Sequence, residues 1–111
     1  MSDSSLLRVT VCGAGVQGSM IAFRCAIWGK EVALYDVDRQ AALRAMGKIH
    51  AWLRDFVTSE RLTEAEAQAA WRRVAACDDL ATAVAAADIV IENVPEPVSY
   101  THLTLPTTPY V

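Results

Sequence analysis

The chain has 111 residues, of which 53% are hydrophobic and 21% charged, with a formal net charge of −3 at pH 7. This length predicts one domain, and the apolar fraction is sufficient for a folded core rather than a disordered chain. The mild acidity and the absence of a Lys/Arg cluster argue against a nucleic-acid partner.

The three cysteines, Cys12, Cys25 and Cys77, form no C-x-x-C pair, and their odd number is a poor basis for a disulfide framework. Reduced thiols and no metal site are therefore expected. The first residues lack the segments of a signal peptide, and the longest uncharged stretch, Val9 to Phe23, is too short and too polar to span a bilayer. We therefore predict a soluble, cytoplasmic protein with no membrane partner.

The C-terminal tail differs in composition from the rest of the chain. Residues 98–111 contain no Asp, Glu, Lys, Arg or Gly, but carry four Thr, two Tyr and two Pro. A Thr/Pro-rich linker has such a composition, but the run from Val98 to Thr107 also matches the translation of a transposase-type sequencing adapter. We therefore expect native sequence to stop at Glu96, with Pro97 encoded by a junction codon. On this interpretation residues 1–97 are a fragment of a longer protein, and 98–111 are a non-native tail.

A βαβ unit is predicted at the N-terminus. A β-rich run from Leu6 to Cys12 ends at glycine and predicts the first strand, and residues 31–36 predict the second. The helix between them, over residues 19–28, is predicted to bury a face formed by Ile21, Cys25 and Trp28. A strand, a glycine turn, a helix and a strand within about thirty residues are typical of this unit.

A helical hairpin is predicted between the second and third strands. A long helix is marked by an apolar stripe at spacings of four and three, consisting of Ala42, Met46, Ile49, Leu53 and Phe56. Thr63 and Glu66 form a capping box that begins a second helix, which extends to about Val74. Roughly 35 to 40 residues thus separate the two strands, where an ordinary crossover needs about a dozen.

Two further strands complete the predicted sheet. Residues 73–77 predict a brief third strand, Asp78 or Asp79 caps a short Ala-rich helix, and residues 88–92 predict a buried fourth strand. The alternation of strands and helices predicts an α/β fold with a Rossmann-type parallel sheet. These residues would form its first mononucleotide-binding half, with the helical hairpin inserted.

The glycine-rich turn carries the strongest functional signal. In the pattern G-x-G-x-x-G, Gly13 permits a tight turn, Gly15 lets the backbone approach a pyrophosphate, and Gly18 lets the helix pack closely on the sheet. The backbone of Val16 and Gln17, with the free N–H groups of the helix N-terminus, would face the phosphates. A glycine turn alone is weak evidence, but strand, turn, helix and acidic residue together predict dinucleotide binding.

Three carboxylates lie where such a ligand would bind. Asp36 ends the second strand, 18 residues after Gly18, where a carboxylate accepts hydrogen bonds from the adenosine ribose. A carboxylate there repels a 2′-phosphate, which favours NAD over NADP; Arg39 is the one feature that favours NADP, and a surface role explains it more simply. Glu92 and Glu96 lie at the carboxyl end of the fourth strand, although solvated loop carboxylates would give the same pattern.

Other candidate residues have simpler structural interpretations. His50 lies beside the apolar stripe of the long helix, where a structural role is favoured over a catalytic one. The tryptophans, Trp28, Trp52 and Trp71, are predicted to be packing residues on helices.

Residues 8–96 resemble the NAD-binding domain of the 3-hydroxyacyl-CoA dehydrogenase family. The shared features are the V-x-G-A-G-x-x-G turn, Leu34-Tyr-Asp36, the helical pair, Asp78-Asp-Leu80, and Ala87–Glu92 leading into Val94-Pro-Glu96. The helical insertion and V-P-E are more specific than the glycine turn. Val16-Gln17 replaces the commoner Thr-Met and Asn93 replaces a usual small residue, which leaves the subfamily open.

The resemblance implies that Asp36 holds the adenosine ribose and that Glu96 contributes near the nicotinamide end. It also implies a homodimeric parent that oxidises a 3-hydroxyacyl-CoA, or a related 3-hydroxy acid, with NAD. In the family the catalytic His, its Glu partner and the dimerisation domain lie beyond the fourth strand, so no catalytic residue is assigned in this chain. A non-catalytic dinucleotide-binding module, crystallin-like or redox-sensing, and another Rossmann dehydrogenase are the alternatives.

Overall fold

A computed structural model describes residues 7–93, so Glu96 and the tail lie outside the described residues. The elements are, in chain order, β1 (Arg8–Cys12), α1 (Val16–Ile27), β2 (Glu31–Tyr35), α2 (Arg39–Thr58), α3 (Glu64–Arg73), β3 (Val74–Cys77), α4 (Leu80–Ala85) and β4 (Ile89–Glu92). The strands form one parallel sheet in the order β3-β2-β1-β4. The predicted α/β fold is thereby confirmed, with a helical hairpin between β2 and β3.

The hydrophobic core lies between the sheet and the helices α1, α2 and α3. Its largest fully buried apolar side chains are Val11, Leu34, Ile49 and Leu53. The stripe predicted for α2 faces this core, with three members buried and two, Met46 and Phe56, partly buried against it. An aromatic cluster joins α1 to α2, because the Phe23 ring contacts those of Trp52 and Phe56 edge-to-face, at centroid distances of 5.5 and 5.0 Å.

Helix α1 buries a different face from the one predicted. Its buried residues are Gly18, Ser19, Ala22, Phe23 and Ala26. Ile21 and Cys25 are only partly buried, and Trp28, which follows the last helical turn, is 76% exposed, so its predicted packing role is wrong. A helix that follows a tight turn from its own strand lies very close to the sheet. Small side chains fit that gap, whereas the one large buried side chain of this helix, Phe23, packs against α2.

Strand β4 was predicted to be buried, and this prediction is also wrong. Ile89 and Val90 are 44% and 41% exposed. The strand is at the edge of the sheet and pairs only with β1, and within residues 7–93 no further strand covers its other side. The apolar side chains of β4 therefore form an exposed surface that no other part of residues 7–93 covers.

The second face of the sheet carries the short helix α4. Asp79, rather than Asp78, caps this helix, because its carboxylate accepts a hydrogen bond from the Thr82 N–H at 3.1 Å. The buried Thr10 hydroxyl donates to the Ala83 carbonyl at 2.7 Å and so attaches the helix to β1. None of the helices in residues 7–93 has the length and apolar character needed to cross a membrane.

A bidentate ion pair joins the two helices of the hairpin. Arg54 on α2 donates from both Nη atoms to the Glu64 carboxylate at the start of α3, at 2.8 and 2.6 Å. Hydrogen bonds from Arg54 and from Gln68, together with the Arg54 charge, lower the pKa of Glu64 from its ordinary value of 4.5 to about 2. The capping box of Thr63 and Glu66 begins α3, as its sequence pattern predicted.

We expect the stability that this pair supplies to depend on pH. Because the pKa of Glu64 is lower in the folded chain, the contribution is complete above pH 4.5 and is lost as the pH falls towards 2. Arg54→Met should therefore lower the thermal midpoint at pH 7, and its difference from the wild type should shrink progressively below pH 4.5. Arg44→Met is the matched control, since Arg44 lies 3.8 Å from Asp38 in an exposed pair. An Arg54→Met difference that is equal at pH 7 and pH 2.5 would exclude this coupling.

Candidate functional site

Two glycines of the turn after β1 are required by the packing of the chain itself. Gly13 has φ 106°, which disfavours any side chain, and a Cβ there would lie 1.8 Å from the Asn93 carbonyl oxygen. A Cβ on Gly18 would lie 1.9 Å from the Gly13 carbonyl oxygen. Both obstructions are backbone atoms that cannot rotate away. The turn is therefore held against both β4 and the first turn of α1.

The third glycine, Gly15, is not required by packing. Its φ of −74° suits any residue, and a Cβ there would meet nothing within 4 Å. Gly15 is also the N-cap of α1, and no side chain caps the helix at this point. The first helical hydrogen bond runs from Ser19 N–H to the Gly15 carbonyl at 2.9 Å, so the N–H groups of Val16 and Gln17 have no partner within the helix. Open space and uncommitted donors thus coincide at the positive end of the helix dipole.

Asp36 attaches the glycine turn to the end of β2. Its Oδ2 accepts a hydrogen bond from the Ala14 N–H, and its Oδ1 accepts one from the Asp38 N–H, each at 2.8 Å. Each carboxylate oxygen has a second lone pair, so both can still accept a bond from a ligand hydroxyl. The Arg39 guanidinium forms an exposed ion pair with Asp78, with 3.5 Å between Nη2 and Oδ2, which agrees with the surface role favoured for Arg39.

The carboxyl ends of β1 and β4 form the other side of the turn. Cys12 and Glu92 are register partners, and burial together with the Glu92 charge raises the pKa of the Cys12 thiol. Asn93 follows β4 and donates its N–H to the Cys12 carbonyl at 2.7 Å. Glu92 itself is exposed.

The structure therefore brings Gly13, Gly15, Val16, Gln17, Gly18 and Asp36 to one edge of the sheet. Glu96 lies outside the described residues. His50 does not reach this edge, since its ring contacts Trp71 of α3 at a centroid distance of 5.0 Å. Sequence analysis did not identify Ser19, which is fully buried and donates its hydroxyl to the Gly15 carbonyl at 2.7 Å. A serine directly after the last glycine of the pattern was the available signal.

Residues 8–104 match the family model described as "3-hydroxyacyl-CoA dehydrogenase, NAD binding domain". The chain is 40% identical over 88 residues to a 3-hydroxyadipyl-CoA dehydrogenase of Escherichia coli K12, covering 79% of this chain and 18% of that protein. A solved 3-hydroxybutyryl-CoA dehydrogenase of Escherichia coli K12 is 37% identical with a TM-score of 0.77, covering 85% of this chain and 20% of that one.

An (S)-3-hydroxybutyryl-CoA dehydrogenase from Ralstonia eutropha is 30% identical, also with a TM-score of 0.77, and the match covers 83% of this chain and 32% of that one. The chain thus spans only about a fifth to a third of the length of these relatives.

Proposed function

Because the chain belongs to the 3-hydroxyacyl-CoA dehydrogenase family, as part of its NAD-binding domain, we propose that the intact protein oxidises a 3-hydroxyacyl-CoA, or a related 3-hydroxy acid, to the 3-keto product. NAD supplies the chemistry by accepting hydride from C3 of the substrate. This chain supplies cofactor binding. The histidine that takes the hydroxyl proton belongs, on this proposal, to the remainder of the longer protein.

The turn after β1 fits NAD, and Gly15 is the observation that carries the proposal. Open space faces the Gly15 backbone, and the N–H groups of Val16 and Gln17, which have no partner among residues 7–93, can bind a pyrophosphate at the positive end of α1. Gly13 and Gly18 hold that backbone in place through their contacts with each other and with β4. We assign pyrophosphate binding to these residues of the turn.

We assign the adenosine ribose to Asp36, whose position is fixed by the Ala14 and Asp38 N–H groups. We assign the nicotinamide end to Glu96, on the basis of its place in the V-P-E motif after β4. In the full-length protein Asp36→Ala should weaken NADH binding about tenfold or more, because hydrogen bonds to a charged acceptor are lost.

The isosteric variant Asp36→Asn tests the role of the charge on this residue. It removes the charge that repels a 2′-phosphate and leaves one oxygen for the N–H groups of Ala14 and Asp38. The informative quantity is therefore the ratio of the two affinities, and NADPH should bind better relative to NADH than in the wild type. Isothermal titration with both cofactors measures this ratio. An unchanged NADPH-to-NADH ratio in Asp36→Asn, with unchanged NADH affinity in Asp36→Ala, would show that Asp36 is not the ribose ligand.

The proposed reaction is tested with the full-length reading frame. The purified protein is assayed for NADH formation from 3-hydroxybutyryl-CoA, 3-hydroxyadipyl-CoA and free 3-hydroxy acids. We expect turnover of at least one CoA thioester. A protein that binds NADH but turns over none of these substrates, and whose gene lacks a downstream His–Glu pair, would instead be the non-catalytic module.

Residues 1–97 alone should have no dehydrogenase activity, because the proposed acid/base pair lies outside them. The measurement is NADH consumption with acetoacetyl-CoA, with the full-length protein as the positive control. Turnover by the purified fragment would contradict the assignment of catalysis to the rest of the protein.

We also propose a non-native tail in this chain, and a homodimeric state and a cytoplasmic location for the intact protein. The adapter match supports a non-native tail over 98–111, although the family match runs to residue 104. Sequencing a clone across the Glu96 codon tests this, and an uninterrupted frame into the same tail would contradict it. The homodimeric state is proposed because the resemblance to the family implies it. The free thiols of Cys12, Cys25 and Cys77 support the proposal of a reducing, cytoplasmic location.

A further inference from the structure

Asn93 follows the carboxyl end of β4, beside the carboxyl end of the neighbouring strand β1. All strands of the sheet are parallel, but β2 and β3 lie on one side of β1 and β4 lies on the other. In α/β sheets, ligands bind outside the carboxyl ends of the strands at the point where the strand order changes side in this way. The Asn93 N–H donates to the Cys12 carbonyl at 2.7 Å, and its own carbonyl oxygen contacts Gly13 so closely that a Cβ there would lie 1.8 Å away. The backbone of Asn93 is therefore fixed against the glycine turn.

The side chain of Asn93 extends to the N-terminus of α1. Its Nδ2 lies 3.2 Å from the position of a Cβ on Gly18, the third residue of that helix. The side chain is partly buried, and its carboxamide makes no hydrogen bond with any other residue between 7 and 93. An amide donor on a fixed backbone thus lies against Gly18, in the same first turn of α1 as the N–H groups of Val16 and Gln17.

Because these donors all lie at the first turn of α1, an oxygen-rich anion is the ligand that they suit. Asp36 lies on the β2 side of the turn and Asn93 on the β4 side. A ligand that places its adenosine ribose at Asp36 must pass the helix N-terminus before it reaches β4. The second phosphate of a dinucleotide is the group that follows in this direction.

We propose that the Asn93 carboxamide donates a hydrogen bond to the diphosphate of NAD, at the phosphate on the nicotinamide side, and so positions the reactive half of the cofactor. This inference rests on the proposed binding of NAD at the turn. It assigns Asn93 a positioning role that neither the glycine pattern nor Asp36 supplies.

The test uses the full-length protein and three ligands, AMP, ADP and NADH, titrated by calorimetry. Asn93→Ala should weaken ADP and NADH about tenfold, because a hydrogen bond to a charged phosphate is lost, and should leave AMP unchanged. Asn93→Asp should weaken ADP and NADH further, since its carboxylate repels the diphosphate. Gln68→Ala removes a carboxamide from the exposed face of α3 and should change none of the three affinities.

Three results would overturn the proposal. Unchanged affinities in both Asn93 variants would show that the amide does not contact the ligand. Equal weakening of all three ligands with a lower thermal midpoint would show a packing role instead. Weakening of NADH alone would place the amide beyond the diphosphate. If the wild type binds none of the ligands, the assignment of NAD to the turn fails as well, whereas lost turnover with intact NADH binding affects only the proposed reaction.

Discussion

Gly15→Ala should weaken NADH binding by at least about a hundredfold, because several charge-assisted hydrogen bonds from the turn to the pyrophosphate are lost together. The same change should leave the thermal midpoint within about 3 °C of the wild type. The added Cβ would meet nothing within 4 Å in the chain itself, and a φ of −74° suits alanine. The methyl group would instead occupy the space that the proposed pyrophosphate needs.

Gly47→Ala is the matched control for this variant. Gly47 lies on the exposed side of α2, and a Cβ there also meets nothing within 4 Å. Alanine should stabilise this helix by about 0.5–1 kcal/mol and leave NADH affinity unchanged. Calorimetric titration and thermal unfolding of both variants give the comparison. Wild-type NADH affinity in Gly15→Ala would refute the assignment of the pyrophosphate to this turn.

Gly18→Ala should act on folding rather than directly on binding. Its Cβ would lie 1.9 Å from the Gly13 carbonyl oxygen, so α1 must move away from the turn. We expect a loss of about 3 kcal/mol in the free energy of unfolding. For a domain of this size the thermal midpoint should fall by roughly 12–24 °C.

The contrast between Gly15→Ala and Gly18→Ala is informative because the same substitution is made three residues apart. Circular dichroism measures the thermal midpoint of each variant. A Gly18→Ala protein that unfolds at the wild-type temperature would show that the close contact between the turn and α1 is not needed for folding.

The pattern of apolar and glycine residues predicted most of the fold, because the relevant signals are local. The stripe of α2, the capping box at Thr63 and the order of strands and helices all depend on short spacings. The buried face of α1 could not be predicted in this way. It is selected by the narrow gap to the sheet, which accepts Ser19 and Ala22 and displaces Trp28. The exposure of β4 likewise depends on which strands lie beside it, and the apolar run of residues 88–92 does not predict its neighbours.

The candidate site was predicted in outline for the same reason. The spacing of the glycines and Asp36 is a local signal that the sequence displays directly. The bond from Ala14 N–H to Asp36, and the contact of Asn93 with Gly13, join segments that are distant in the chain. Such contacts follow from the register of the parallel strands, which the sequence pattern does not specify.

The most direct test of the central claim is a two-dimensional ¹⁵N–¹H NMR titration of the chain with NAD. We predict saturable shifts of the amide signals of the turn, at Gly15, Val16, Gln17 and Gly18. Further shifts are expected at Ala14 and Asp38, whose N–H groups donate to the Asp36 carboxylate. NAD should also shift the amide signal of Asn93, whereas AMP should reproduce only the shifts near Asp36. An absence of shifts at millimolar NAD in a folded chain, or shifts confined to α3 and β3, would contradict the account.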